Sequence, residues 1–254
     1  MIKEMEKALK RYLKGKNRIT MGVVVAFLLG SSFAFGDVTV KYEDSTIKIL
    51  DNSGTITEIG TVTKNSADEF TWTLPEGTNI TETVKIDDTV NTNNIKVNIV
   101  NSRNISSSGT GDTVGNGIFS YSTSGSSAIG GITNNGTISG SGTGDIVGNG
   151  IISFSKNSTS TLGGITNYGT ISGSGGGRGN FTGNGISCAS SSSSFSEPVT
   201  IGAITNYGII SGSENGTGAG NGIISSSNNS GITIGAVTNY GTISGNGSGS
   251  RGHV

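Results

Sequence analysis

Chemistry-bearing side chains are scarce in this 254-residue chain, which has one Cys, one His, two Pro, one Trp and 13 % charged residues, about half the roughly 25 % charged content of an average soluble domain. The single Cys188 excludes an intramolecular disulfide and any Cys-rich metal site. The single His253, one residue from the end, removes most acid–base and zinc chemistry and leaves no Ser-His-Asp set to build. A net charge of −1 gives no basic excess to draw in nucleic acid or an anionic membrane. Long apolar runs are missing too. The longest, Met21 to Gly30, is far short of the ~20 residues of a spanning helix.

That run nevertheless has a meaning in context. It follows a start rich in Lys and Arg and is followed by Ser31-Ser32-Phe33-Ala34-Phe35-Gly36, with small residues at Ala34 and Gly36, the order of a signal peptide. Residues 1–36 are expected to be a helical signal segment with an extended basic n-region, cleaved after Gly36; a membrane anchor is the competing reading. The mature product would be mildly acidic, with most of its charge before residue 99.

What the chain has in abundance is glycine, 44 residues, and repetition. Ile132 to Gly140 reads Ile-Thr-Asn-Asn-Gly-Thr-Ile-Ser-Gly and returns at Ile165, Ile204 and Val237, with a weaker copy at Ile99. A second marker, Gly-Asn-Gly-Ile, recurs at Gly115, Gly148, Gly183 and Gly220. The first three starts are 33 residues apart, a fixed period that means stacked units. Each unit holds short apolar segments (Leu162 to Asn167, Thr170 to Ser172, Gly185 to Ala189) joined by Gly, Ser, Asn and Thr, so no window suits a helix.

Strands this short must pair with their copies in neighbouring units. The expected fold is all-β: a right-handed parallel β-helix over residues 99–254, with one three-sided coil preferred over two coils per unit. Stacking would align Ile138, Ile171, Ile210 and Ile243 inside, and Asn134, Asn167, Asn206 and Asn239 as an amide ladder at the adjoining turn. The Gly two positions later (Gly136, Gly169, Gly208, Gly241) is expected to permit the tight bend. Tyr168, Tyr207 and Tyr240 share one position with Asn135 and would stack on one face, either packing or touching sugars.

Residues 37–98 alternate apolar with polar residues at Val38 to Val40, Ile47 to Ile49, Ile56 to Ile59 and Ile95 to Val97, the period of half-buried strands. Asn52-Ser53-Gly54 and Pro75-Glu76-Gly77 supply turns. This stretch is expected to be an N-terminal cap that blunts the first rung.

The opening Met1 to Gly36 resembles the long N-terminal signal region of type V autotransporters of Gram-negative bacteria, and the Ile-Thr-Asn-x-Gly-Thr-Ile-Ser-Gly units are similar to repeats of their β-helical passengers. The resemblance implies export by the Sec machinery, passage through an outer-membrane β-barrel translocator, and surface display or secretion as an adhesin or projecting scaffold that meets host or bacterial receptors. Nothing in the sequence resembles the C-terminal barrel, so a fragment, a truncated frame or one piece of a split gene is expected.

Against this stand a secreted β-helical carbohydrate-active enzyme and a soluble exported structural protein. Catalysis would need carboxylates gathered on one face. Asp112 and Asp145 are the best pair, without counterparts in the later units. Gly-Thr-Gly-Asp lacks the nine-residue period of calcium repeats. Gly175 to Gly179 lacks the Lys-Ser/Thr of a phosphate loop and reads as a turn. Cys188 reads as a small core residue. The expectation is a non-enzyme with no cofactor, no metal and no nucleic-acid partner.

Overall fold

The computed structural model describes residues 38–247 apart from 52, 56, 58, 78, 112, 124, 178–180, 192–197, 217–219 and 228–230. The signal segment expected over 1–36, together with Asp112, Arg178, Gly179 and His253, lies outside the described residues.

The chain opens with β1 (Val38–Glu43), β2 (Thr46–Leu50), β3 (Thr61–Lys64), β4 (Glu69–Leu74), β5 (Val84–Ile86) and a five-residue helix α1 (Asp88–Thr92). One coil of a β-solenoid follows as β6 (Lys96–Asn101), β7 (Asn104–Thr110), β8 (Ile118–Ser122) and β9 (Ser127–Ile129). The second coil is β10 (Ile132–Asn134), β11 (Thr137–Thr143), β12 (Ile151–Ser155) and β13 (Ser160–Leu162). The third is β14 (Ile165–Asn167), β15 (Thr170–Gly175), β16 (Ile186–Ser190) and β17 (Val199–Ile201). The fourth is β18 (Ile204–Asn206), β19 (Ile209–Glu214), β20 (Ile223–Ser227) and β21 (Ile232–Ile234), with β22 (Val237–Asn239) and β23 (Thr242–Gly247) beyond it.

All pairings between coils are parallel and in register, so Ile99, Ile132, Ile165, Ile204 and Val237 stand opposite one another. One repeat is therefore one coil. The rise per coil is the ordinary strand spacing of about 4.8 Å. The third unit, 39 residues from Ile165 to Ile204 against 33 in the others, keeps this register, with Ile151 opposite Ile186 and Leu162 opposite Ile201.

Each coil has four strands, not three. The expected segment Leu162 to Asn167 is two strands divided at Gly163-Gly164. A Cβ at Gly163 would collide with the backbone of Gly130 in the coil before it, so the corner turns sharply and only glycine fits. The fourth sheet is β9-β13-β17-β21.

Inside, Ile105, Ile138, Ile171 and Ile210 form one continuous buried row, with Ile243 partly buried at its end. Each fully buried side chain of this kind contributes roughly 1.5–3 kcal/mol.

The N-terminal elements cover the first coil sheet by sheet. β5 pairs with β8, β4 with β6, Ile80 bridges Ile105, and the Asn91 side chain on α1 accepts from the Ala128 N–H at 3.0 Å. Two of the sheets then end in antiparallel hairpins, β1–β2 and β3–β4. Asp44 and Ser45 turn the first hairpin at φ 53° and 60°.

Ile56 to Ile59 was expected as a strand, but Thr57 and Ile59 are outside any strand. Gly60, at φ 81° and pressed against the Thr73 carbonyl, redirects the chain. The Ile59 carbonyl thereby meets the buried Trp72 indole N–H at 2.7 Å.

Candidate functional site

Two rows of asparagine define the corners on which the outer faces are built. Asn134 Nδ2 donates to its own turn at the Gly136 carbonyl (3.1 Å), to Asn167 Oδ1 (2.8 Å) and to the Thr170 carbonyl (3.1 Å). Asn167 and Asn206 repeat the pattern toward Asn206 and Asn239, at 2.8 Å in each case. The row also extends one rung back, to Asn101. Asn101, Asn134, Asn167 and Asn206 are fully buried, and the stacking satisfies amides that burial would otherwise penalise.

The glycines of this turn act differently from expectation. None of Gly136, Gly169, Gly208 and Gly241 has positive φ; a Cβ at each would instead strike a backbone carbonyl of the coil before it. Positive φ belongs to the other marker, at Gly115 (71°), Gly148 (67°) and Gly183 (67°). There the following residues, Asn116, Asn149, Asn184 and Asn221, form a second amide ladder with 3.0 Å contacts. Sequence reasoning noted the Gly-Asn-Gly-Ile marker without recognising its Asn as a ladder.

A third polar row runs through the core. Asn91, Ser120, Ser127, Ser153, Ser160 and Cys188 are joined by side-chain contacts of 2.9 to 3.5 Å. Burial pushes the Cys188 thiol up to about 11, against weaker lowering by its contacts to Ser160 and to the backbone of Thr200 and Leu162. It is an inert core residue.

Charge is concentrated in the first coil and what covers it. Among the described residues beyond it stand Asp145, Lys156 and the buried Glu214, whose Oε1 accepts from the Gly177 and Gly216 N–H groups at 2.9 and 2.8 Å. Lys48 Nζ lies 2.7 Å from Glu43 and 2.9 Å from Asp44, which raises Lys48 and, with Lys41, lowers Glu43. Glu69 is lowered by Asn98 and Lys96. Arg103 is lowered by burial, its Nε donating to the Pro75 carbonyl at 3.2 Å.

The outer face of the sheet β7-β11-β15-β19-β23 is a grid. In β15 Ile171 and Gly173 point inward, while Thr170, Ser172 and Ser174 alternate outward. Ser141, Ser174, Thr143 and Asn215 line a shallow groove of about 430 Å³ across three strands, and none of its described lining residues is titratable. Among the described residues no three of His, Cys, Asp and Glu gather as a metal site would require. Asp145 sits exposed in a turn.

At the other margin of the same sheet stand the tyrosines. Tyr168 and Tyr207 stack with centroids 5.0 Å apart and rings within 2° of parallel; Tyr207 and Tyr240 do so at 5.0 Å and 10°. The backbone sets the interval, with Tyr168, Tyr207 and Tyr240 N–H groups donating to the carbonyls of Asn134, Asn167 and Asn206. Elsewhere, Phe119, Ile152, Phe154 and Ala189 make a small apolar cluster on the outside of β8, β12 and β16, against which Ile146 and Phe181 fold.

The arrangement is that of a repetitive parallel β-solenoid with regular outer faces. Comparison with protein-family models, with curated proteins and with solved structures finds no match.

Proposed function

We propose that the chain is an exported, non-catalytic β-solenoid of the autotransporter-passenger kind, displayed on the cell surface as an adhesin or projecting scaffold, with its coils right-handed as strand crossovers are. The observation that supports it most is the exposed tyrosine stack beside an uncharged hydroxyl grid, held at the strand interval by an internal frame of asparagine and isoleucine rows. Such a surface offers contact area in a fixed pattern. Export by the Sec machinery and an outer-membrane barrel supplied by another segment or chain complete the reading, which rests on the signal-like start and the repeat.

Beads coated with the purified chain should adhere to bacterial or epithelial cells well above albumin-coated beads. Absence of adherence across such a panel would remove the adhesive reading. Release of reducing ends or unsaturated sugars from polysaccharides would replace it with the enzymatic one.

A further inference from the structure

We propose that the tyrosine stripe is a self-pairing surface, and that its partner is the same stripe on a second copy of this chain. This deepens the adhesive reading and rests on it for the dense parallel display that makes weak pairs count.

The stripe is exposed in a way the core does not explain: Tyr168 and Tyr207, each with a coil on either side, are 55 and 48 % accessible, and Ile209 beside them 46 %. Ile209 occupies the outward position held by Thr170 and Thr242 in the neighbouring strands. An apolar side chain therefore widens the aromatic row where threonine would have served.

The geometry of the stack selects the partner. A ring that binds sugar does so through its face, but here neighbouring rings lie parallel at 5.0 Å and turn their faces toward one another. What solvent sees between the ends is ring edges and hydroxyls at a constant interval. A surface with the same interval can meet every rung at once, and a second copy of this solenoid carries it by construction. Paired sheets of stacked identical residues, interdigitating side chain by side chain, are the arrangement that excludes water best at this period.

Charge permits it. The stripe and its flanking rows, Thr166 and Thr205 on one side and Thr170 and Ile209 on the other, are neutral, so two copies meet without like-charge repulsion. A two-fold axis would place Tyr207 against the partner's Tyr207 and Tyr168 against the partner's Tyr240, an isologous contact.

Area sets the strength. Half of the roughly 150–250 Å² an aromatic side chain can bury, over three rings, is on the order of 300 Å² per copy. That is below the roughly 800 Å² per partner of a stable complex. Pairing is accordingly weak between free molecules and strong between arrays, where linked contacts multiply.

The test uses the full chain, immobilised on beads and free in solution. Beads carrying it should cluster, and a Tyr168→Ser/Tyr207→Ser/Tyr240→Ser variant with an unchanged β-sheet circular dichroism spectrum should cluster at least tenfold less. Because the native Cys188 is buried, Tyr207→Cys supplies one reactive thiol. A short bis-maleimide should link two Tyr207→Cys copies at least fivefold faster than two copies of Thr161→Cys, an exposed position on the β9-β13-β17-β21 sheet. Equal cross-linking rates, or clustering unaffected by the triple substitution, would overturn the proposal. So would loss of binding to a neutral glycan in the triple variant without any bead clustering, which would assign the stripe to sugar. Cell adherence without bead clustering leaves the wider adhesive reading standing and this one refuted; clustering without adherence does the reverse.

Discussion

Asn167 receives a hydrogen bond from Asn134 Nδ2 at 2.8 Å on its Oδ1 and sends one from its own Nδ2 to Asn206 Oδ1 at 2.8 Å. Every interior member of the row is thus donor to one neighbour and acceptor from the other, and the direction of donation is the same throughout. A substitution at the middle breaks two rungs. Asn167→Ala would strip the acceptor from Asn134 and the donors from the Gly169 and Ile209 carbonyls. Leaving buried polar groups unmet costs about 1–3 kcal/mol each, so thermal unfolding should move down by several degrees. Asn239→Ala, at the exposed end of the row, should cost much less. Equal shifts for the two variants would show that the ladder is not a source of stability.

The turn glycines give a paired comparison of space against conformation. Gly169→Ala drives a methyl into the Gly136 carbonyl, and overpacking of this kind typically costs about 1–3 kcal/mol. Gly231→Ala meets nothing within 4 Å and has no left-handed φ to lose. It should be neutral or raise stability by up to about 1 kcal/mol by restricting the unfolded chain. Urea unfolding of the two variants separates them, and a neutral Gly169→Ala would mean that the coils can part at this corner.

The serine row inside the core should show strong non-additivity. Ser153 shares contacts with Ser127 and Ser160 at 3.1 Å each. Ser153→Ala alone orphans part of both partners and should cost about 1–2 kcal/mol, whereas replacing Ser127, Ser153 and Ser160 together by Ala removes three mutually dependent hydroxyls at once, while Ser120 keeps Asn91 and the Ala128 carbonyl, and Cys188 the Thr200 carbonyl, as partners. The triple variant is expected to be no less stable than the single one. Additive losses, measured by a mutant cycle over the three sites, would contradict a coupled row.

How far the sequence discloses this molecule depends on whether a position repeats. Ile138, Ile171 and Ile210 recur in identical surroundings, so their common row and the one-coil period were readable from spacing alone. The sharp corner at Gly163-Gly164 was not, because a pair of glycines looks the same in a loop and at a bend between strands. Serines at 120, 127, 153 and 160 carry no apolar signal by which spacing could place them in the core, yet they are fully buried there. In the stretch before the repeats nothing recurs to correct an error. There Glu69–Leu74, with its alternating Phe70, Trp72 and Leu74, is a strand that spacing does not single out, while the strand expected over Ile56 to Ile59 does not include the described Thr57 and Ile59. Of the outer face, the stack of tyrosines was legible from register. The exposure of Ile209 and the orientation of the rings depended on three dimensions.

Cys188 ties stability to alkaline pH. Its thiol is raised from an ordinary value of 9.0 to about 11 by burial, so the folded protein keeps the proton over a range in which the unfolded chain releases it. The resulting stabilisation is fully present below pH 9 and is lost as pH rises from 9 through 11. At about 1.4 kcal/mol per pH unit, the loss by pH 11 is about 2 to 3 kcal/mol. Lysines and tyrosines titrate in the same window, so the comparison is with Cys188→Ala, whose smaller side chain lowers stability by a pH-independent amount. The gap in urea midpoint between the native chain and this variant should narrow steadily from pH 9 to pH 11. At pH 8 a thiol reagent should leave the native chain unlabelled and label it fully in denaturant. A gap that stays constant with pH, or rapid labelling of the folded protein, would place the thiol in contact with water and remove the β16 strand from the sealed interior.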